Sequence, residues 1–387
     1  MSDQPRPPGS LPLAGVRVAD FSRVLAGPLA TMLLADLGAD VVKVERPGTG
    51  DDSRAWGPPF VGEDSAYFLA LNRNKRSVVL DLEIERDRSL ARRLALSSDV
   101  VVENFRPGLM TRFGLDYGAL SADQPELVYC SLTAFGEREG AASRPGYDII
   151  VQALSGLMSV TGHPGGEPTK VGVALLDVIC GLYAANAIQA ALIGRQRTGR
   201  GEHVMVSLFD AGVAAMVNQA ANHLLGGLVP GPMGNAHPNI VPYQLFRAKD
   251  RPFILAAGND RLFARSCEVL GLADLATDER YATNEARVLH REELIELLSN
   301  WLGTRSASEW IAELEAAGVP CALVRTVDEV FASPEGAATI QGIDDPVRGP
   351  LRLVADPIRL DGATPPVRMP PPRLGEHTEE IRRELED

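Results

Sequence analysis

The sequence predicts an α/β fold that combines a large parallel-sheet domain with a smaller α+β domain. Apolar strand patterns alternate with helical patterns in the first half of the chain, beginning with VRVAD (16–20), a helical stretch (23–38) and VVKVE (41–45). Such alternation is typical of a parallel sheet covered on both faces. The Gly/Pro-rich break GGLVPGPMGNAHPN (226–239) precedes a second group of helices, and 387 residues exceed what one hydrophobic core usually serves.

The remaining elements are expected in the same alternating order. Before the break, the patterns predict strands at 77–82, 100–103, 127–132 and 203–208, and helices at 85–97, 147–158, 178–192 and 211–225. After it, they predict a strand at 253–257 and helices at 262–270, 291–302 and 307–317. The Pro-rich tail from Pro365 is too stiff and polar for a core, so we expect it to run over one.

Composition excludes several classes of function. A net charge of −13 argues against non-specific nucleic-acid binding, although a local basic pocket remains compatible with it. The four cysteines and six histidines show no metal-ligand or redox spacing, which suits a reducing compartment. The polar leader Met1–Pro12 has the pattern of neither a signal nor a transit peptide. These observations predict a cytoplasmic protein without a metal.

One carboxylate, Asp177, lies inside the apolar stretch KVGVALLDVICGLYAANAIQAALIG (170–194). Because Asn186 and Gln189 also interrupt this stretch, we expect a buried helix and not a membrane span. An ionised carboxylate in apolar surroundings is costly unless it is paired, hydrogen-bonded or at a helix end. Asp177 is therefore either the N-cap of a helix starting at Val178 or a nucleophile held there and exposed to a cleft. The local sequence does not decide between them.

Polar segments lie next to several predicted strands. RPGTGDDSRAWGPP (46–59) follows the second strand, NRNKR (72–76) precedes the third, and ENFR (103–106) follows the fourth. Ligands of parallel sheets bind beyond the carboxyl ends of the strands. The first turn, FSRVLAGP (21–28), lacks the G-x-G-x-x-G pattern that a dinucleotide needs, so NAD binding is disfavoured.

Six motifs in order resemble one known family. They are RVLAGP (23–28), ADLGADVVKVERPGTGDDSR (35–54), NRNKRSVVLDL (72–82), DVVVENFRPG (99–108), GYDIIVQALSGLMSVTG (146–162) and RLGEHTEE (373–380). Together they are similar to the family III CoA-transferases, and the match runs nearly end to end. Within that family, RPGTGDDSRAWGPPF and GNAHPNIVPYQLF most resemble the succinyl-CoA:glutarate type.

The resemblance implies that Asp177 is the catalytic aspartate. Its carboxylate would attack the thioester of an acyl-CoA such as succinyl-CoA, forming an aspartyl anhydride, and a small, dicarboxylic acid would accept the CoA. A helix N-terminus is expected to lower the pKa of Asp177 and to offer N–H groups to an oxyanion. Apolar surroundings would protect the anhydride from water. No tightly bound cofactor is implied, because the CoA thioester is a substrate.

The resemblance also implies residues that contact CoA, namely Val24, Arg46, Leu80, Asn104, Phe105, Arg112 and Tyr147. Pro145 replaces a basic contact, with Arg144 adjacent, and GNAH (234–237) replaces a glycine lid. His237 would either hydrogen-bond a substrate carboxylate or satisfy its own loop. By location near strand ends, Arg54 and Arg73 are candidates for the acceptor's far carboxylate.

The family architecture, if carried over, is a Rossmann-like large domain formed by both chain ends, a small domain between them, and an interlocked homodimer. It places the large domain at 10–205, a linker at 206–228, the small domain at 229–325 and a return segment at 326–387. Two alternatives remain. A racemase would need G-H-D where the chain reads Gly146-Tyr147-Asp148, and a non-catalytic CoA-binding protein would not need Asp177. Neither membrane nor nucleic acid is an expected partner.

Overall fold

The computed structural model describes residues 11–138, 140 and 144–386, so most of the predicted leader lies outside the described residues. The strands are β1 (Arg17–Asp20), β2 (Asp40–Glu45), β3 (Phe60–Val61), β4 (Asp64–Ser65), β5 (Lys75–Val79), β6 (Val100–Glu103), β7 (Val128–Thr133), β8 (His203–Ser207), β9 (Tyr243–Arg247), β10 (Pro252–Ala256), β11 (Cys321–Leu323), β12 (Ile340–Asp345) and β13 (Gly349–Val354).

The α-helices are α1 (Ala26–Asp36), α2 (Ala66–Leu69), α3 (Glu85–Leu96), α4 (Leu109–Phe113), α5 (Tyr117–Ser121), α6 (Asp148–Leu154), α7 (Leu157–Val160), α8 (Leu175–Thr198), α9 (Leu208–Ala215), α10 (Val217–Leu224), α11 (Asp260–Val269), α12 (Asn284–Leu289), α13 (Arg291–Leu302), α14 (Ala307–Ala316), α15 (Val327–Ala332), α16 (Pro334–Ala337) and α17 (Thr378–Glu386).

A six-stranded sheet with the order β5-β2-β1-β6-β7-β8 forms the centre of the first unit, and all its pairings are parallel. Strand side chains alternate between its two faces. Val100 and Val102 pack with α1, α8 and α9, whereas Val101 packs against α3 and α17 on the other face. This double cover explains why β6 is apolar at successive positions. The predicted α/β fold with a parallel sheet is confirmed.

Residues cluster into two compact units. The first contains the chain up to Met158, Lys170–Leu228 and the segment from Ala338 on, and the second contains Ser159–Thr169 and Val229–Ala337. The second unit therefore extends past the predicted small domain (229–325) and adds a loop from the predicted large one.

The second unit contains an antiparallel sheet with the order β11-β10-β9, packed on a core of apolar side chains that includes Phe253 and Trp310. The sequence pattern predicted one strand here, whereas the structure contains three. Strands β9 (YQLFR) and β11 (CAL) lack a clean alternation of apolar and polar residues, and β11 has only three residues.

The C-terminal segment returns to the first unit, where it contacts the edge of the sheet at β5. The Asn74 backbone N–H donates to the Met369 carbonyl (3.0 Å), and the His377 N–H donates to the Ser77 carbonyl (2.9 Å). The predicted Pro-rich segment thus covers an edge that would otherwise present unpaired backbone groups.

Candidate active site

Asp177 lies in the first turn of α8, as the third helical residue. The helix begins at Leu175, its N-cap is Ala174, and the cap makes no side-chain hydrogen bond. Of the two alternatives left open by the sequence, the one in which Asp177 is the N-cap of a helix starting at Val178 does not hold, because the helix begins at Leu175. The carboxylate is free of a capping role because a different residue supplies the cap.

Asp148, the first residue of α6, takes over the cap. Its Oδ1 accepts the N–H groups of Leu176 (2.8 Å) and Asp177 (3.4 Å), while its Oδ2 accepts a hydrogen bond from Gln152 Nε2 (2.6 Å). Gln152 Oε1 in turn accepts the Val171 N–H (2.9 Å). Asp148 is buried, so this network ties α6 to the start of α8. In the sequence, Asp148 is visible only as the carboxylate that follows Tyr147. Its capping role could not be predicted, because its partner Leu176 lies 28 residues further along the chain.

The first-turn N–H groups of α8 all have acceptors. Leu175 donates to the Val173 carbonyl (2.8 Å), Val178 donates to the Ala174 carbonyl (3.1 Å), and the two between them donate to Asp148. The expectation that this helix end supplies N–H groups to an oxyanion therefore needs correction, since those donors are occupied.

Burial and the negative charge of Asp148 raise the pKa of Asp177 to about 7. The expected lowering by the helix end is wrong, because desolvation and a like charge both disfavour the ionised form. A carboxylate with this pKa is about half ionised at neutral pH. It is also more basic than an exposed aspartate, which suits a nucleophile.

Tyr67 in α2 lies near enough to Asp177 to feel its charge, and the sequence analysis did not single it out. Burial first, and then the charges of Asp177 and Asp148, raise the pKa of Tyr67 to about 12, so its phenol remains a proton donor at neutral pH. Its ring packs edge-on against Trp56, with 5.4 Å between ring centroids. No motif indicated this residue, because only folding brings α2 near the start of α8.

A cavity of about 430 Å³ contains Asp177 in its wall. The predicted residues that also line it are Val24, Asn104, Phe105 and Tyr147. Tyr147, the N-cap of α6, is 66% exposed. Three arginines, Arg23, Arg106 and Arg144, add positive charge to the same wall. This first cavity is thus a partly apolar chamber with a carboxylate of raised pKa and several cations, as an anionic substrate requires.

A second cavity of about 280 Å³ holds the other predicted CoA contacts, Arg46, Leu80 and Arg112, together with Phe105. Arg46 pairs with Asp52, and Arg112 pairs with Glu83. Arg23 and Phe105 line both cavities. The structure therefore brings all seven predicted CoA contacts to two cavities that meet at one pair of residues.

Asn104 has a role that the sequence did not indicate. Its amide accepts the Arg23 N–H (2.9 Å) and donates to the Arg23 carbonyl (2.8 Å). The next residue, Val24, has a positive φ of 72°, which is strained for a β-branched residue. Its N–H lies 3.2 Å from both Asp51 oxygens, and Asp51 pairs with buried Lys43 (2.8 Å). These contacts hold the loop between β1 and α1 in one conformation.

Arg54 and Arg73 were predicted as candidates for binding the acceptor acid, but in the structure both form ion pairs with buried carboxylates. Arg54 is buried and donates to Glu45 (2.8 and 2.7 Å), Asp64 (2.7 Å) and the Pro372 carbonyl. Arg73 is buried and donates to Asp36 (shortest distance 2.6 Å) and the Val354 carbonyl. A guanidinium whose N–H groups already face buried carboxylates has little capacity left for a substrate.

His237 belongs to the second unit. Its Nδ1 accepts the Asn239 N–H (3.0 Å), and its ring lies edge-on to Tyr243 at 5.3 Å. Of the two alternatives, the loop role is the one with an observed contact.

No group of three or more metal-ligating side chains occurs in the described part of the chain. One helix, α8, is long and apolar enough to cross a membrane by length and composition, which is weak evidence because core helices also meet that criterion. Its buried face packs against α1 and the sheet as part of the core.

Comparison with known proteins gives a family match over most of the chain. Residues 13–378 match the family model described as CoA-transferase family III. A succinate–glutarate CoA-transferase from Agrobacterium fabrum is 44% identical, covering 100% of this chain and 98% of the relative. The human succinyl-CoA:glutarate CoA-transferase is 41% identical over 97% of this chain and 86% of the relative.

The fold has close structural counterparts as well. The crystal structure of a CaiB/BaiF family protein from Brucella suis superposes with a TM-score of 0.85 and 46% identity, covering 97% of this chain and 99% of that one. The resemblance carried by the six motifs is thereby confirmed. The chain belongs to CoA-transferase family III, and it is an enzyme of the transferase class.

Proposed function

We propose that this enzyme transfers CoA from succinyl-CoA to a small dicarboxylic acid such as glutarate, with Asp177 as the nucleophile. The observation that carries the proposal is the position of Asp177 in the wall of the first cavity, partly buried, with a pKa raised to about 7. Two relatives named for succinate or succinyl-CoA and glutarate support the choice of acids.

In the proposed reaction, an Asp177 carboxylate oxygen attacks the thioester carbon of the donor. The C–S bond breaks, and the products are an aspartyl-acyl anhydride and a CoA thiolate. The acceptor carboxylate then attacks the Asp177 carbonyl carbon and displaces the donor acid. The thiolate finally attacks the acyl carbon of the new anhydride, which forms the new thioester and restores the Asp177 carboxylate.

The residues around Asp177 have roles that follow from their contacts. Asp148 fixes the first turn of α8 and thereby the Asp177 backbone. The phenol of Tyr67 is close enough for the Asp177 charge to raise its pKa, and it would be the candidate donor to the developing negative charge, since the α8 N–H groups are occupied. The apolar wall formed by Leu25, Leu132 and Leu208 limits water, which would hydrolyse an anhydride.

The direct test is Asp177→Ala. We expect CoA transfer to fall by several orders of magnitude, because Asp52, the other carboxylate in the described cavity wall, is paired with Arg46, while CoA still binds in a calorimetric titration. Transfer at the wild-type rate would remove Asp177 from the proposed role. Loss of CoA binding together with transfer would indicate a folding defect, which circular dichroism would detect.

A chemical test reports on the anhydride itself. Hydroxylamine added during turnover should convert Asp177 into a hydroxamate that mass spectrometry of the tryptic peptide detects. The Asp177→Asn variant serves as the matched control, and modification at a different carboxylate would contradict the assignment. A panel of acids with succinyl-CoA, read by chromatography of the CoA products, tests the acceptor.

We also propose a cytoplasmic homodimer. The described face of α8 opposite the core exposes Leu182, Tyr183 and Ile193, apolar side chains that a partner subunit would cover. Sedimentation velocity measures the mass, and a monomer at micromolar concentration would contradict the dimer.

A further inference from the structure

Arg23 lies where the two cavities of the first unit meet. The first cavity contains Asp177, which would react with a thioester. The second contains Arg46, which the family resemblance places at the nucleotide, and Leu80, an apolar part of its wall. Arg23 and Phe105 line both. A CoA thioester that reaches from one cavity to the other must therefore pass these two side chains.

Arg23 differs from Arg46 and Arg112, the arginines of the second cavity, in having no carboxylate within ion-pair distance, although Asp52, Asp51 and Glu45 are near enough to act on its charge. Arg46 pairs with Asp52, and Arg112 pairs with Glu83. Among the described residues, the Arg23 guanidinium makes no hydrogen bond and no ion pair, and it lies over the Phe105 ring at 4.7 Å. Burial, and then the positive charge of Arg46, lower the pKa of Arg23. An anion bound between the two arginines would offset both effects by stabilising the charged form of Arg23.

The backbone of Arg23 is held in place before any ligand arrives. Asn104 hydrogen-bonds both its N–H and its carbonyl, and Asp51 accepts the N–H of the following residue. Lys43 fixes the preceding residue by donating to the Ser22 carbonyl (2.8 Å). Polar side chains from β2, from the loop after β2 and from the residue that follows β6 thus converge on one turn. Such preorganisation lowers the entropic cost of binding.

We propose that Arg23 binds the diphosphate of CoA. The order of groups along CoA carries the assignment: the adenosine with its 3′-phosphate is at one end, the thioester is at the other, and the diphosphate joins the nucleoside to the pantetheine arm. A guanidinium fork matches phosphate oxygens, and Phe105 beside it offers an apolar surface to the arm. The inference rests on the CoA site proposed above. Arg23 begins the motif RVLAGP (23–28), but the resemblance gives this residue no role of its own.

Donors of graded length test the proposal. Transfer is measured for wild type and Arg23→Gln with succinyl-CoA, succinyl-3′-dephospho-CoA and succinyl-pantetheine. The ratio of kcat/KM between wild type and variant should be about tenfold to hundredfold for the first two donors, which retain the diphosphate. It should fall to nearly one for succinyl-pantetheine, which lacks it. Arg23→Lys should recover part of the loss, since it keeps the charge without the fork.

A matched control is Arg138→Gln. Arg138 is also an arginine over a phenylalanine ring (5.4 Å to Phe209), but it lines neither cavity and pairs with Asp210. The ratio of kcat/KM between wild type and Arg138→Gln should be close to one for all three donors.

Other outcomes overturn the assignment. If the ratio of kcat/KM between wild type and Arg23→Gln fell to one with succinyl-3′-dephospho-CoA, Arg23 would bind the 3′-phosphate. If Arg23→Gln lowered kcat/KM with succinyl-pantetheine as much as with succinyl-CoA, Arg23 would lie near the reacting groups. The same conclusion would follow if the substitution changed only the KM of the acceptor acid. Calorimetric titration of free CoA and dephospho-CoA measures the same loss without turnover. The proposal can therefore fail or hold independently of the transfer reaction.

Discussion

The chemistry of Asp177 depends on its electrostatic surroundings. The carboxylate is desolvated, and Asp148 lies close enough that its charge adds to the effect, so the pKa of Asp177 rises to about 7. Asp148 has two opposed consequences: its hydrogen bonds stabilise the first turn of α8, and its charge disfavours ionisation of Asp177. Asp177 is therefore a carboxylate with a raised pKa whose backbone is held in position by Asp148.

This pKa predicts a pH dependence. The nucleophile is the ionised form, so kcat/KM should increase with pH, with a midpoint near 7 and a plateau above about pH 8. An aspartate with an ordinary pKa would give no change in this range. Asp148→Asn removes the neighbouring charge, so the midpoint should shift downward. The measurement needs a donor whose own ionisation does not change between pH 5 and 9. A value of kcat/KM for the wild type that stays constant over this range would contradict the prediction.

Buried arginines show the limit of residue-level prediction. Arg54 follows a strand and Arg73 precedes one, as a ligand-binding cation would. Both instead pair with buried carboxylates of other elements, Glu45 for Arg54 and Asp36 for Arg73. Arg23 has the same residue type and a similar position, but in the described structure its guanidinium has no such partner. The sequence indicated which arginines lie near strand ends. Only the tertiary contacts determined which of them has a guanidinium without an ion pair and so can bind a ligand.

Helix α8 holds Asp177 rigidly because it packs closely on α1. Gly181 is buried at the crossing, where an added Cβ would lie 2.7 Å from the Ala26 carbonyl oxygen and 3.2 Å from Leu29. The absence of a side chain therefore permits the close approach of the two helices.

Two glycines of α8 provide a matched pair. Gly181→Ala should lower the free energy of unfolding by roughly 1–3 kcal/mol, because a carbonyl oxygen of a packed helix cannot move away easily. Gly194→Ala, where nothing lies within 4 Å of the added Cβ, should raise it by about 0.5–1 kcal/mol through helix propensity. Urea unfolding measures both, and changes of the same sign would refute the packing argument.

At the scale of the first unit, the C-terminal helix is fastened to the sheet by ion pairs. Arg76 in β5 contacts Asp40 (2.6 Å), Glu380 (2.8 Å) and Glu384 (2.5 Å), and Glu384 also pairs with Arg17 (2.7 Å). The Arg76 side chain is nearly buried. The network connects the first strands of the chain to its last helix.

Arg76→Gln should therefore destabilise the protein by about 1–3 kcal/mol, since it removes a nearly buried cation that three carboxylates share. The difference from wild type should shrink in 1 M salt, which screens the charges. Arg88→Gln is the control, because Arg88 pairs with exposed Glu85 on one helix surface, and it should cost less than about 0.5 kcal/mol. Equal effects of the two substitutions would disprove the network's role.

The sequence by itself determined the parallel α/β fold, the family, and Asp177 as the residue of interest. Those features depend on local periodicity and on motifs whose residues are adjacent in the chain, such as VVVE at β6. The tertiary structure decided the cap on α8, the pKa of Asp177, the nearness of Tyr67 and the availability of Arg23. Each of these depends on charges and hydrogen bonds between distant segments, and a linear pattern contains no distances.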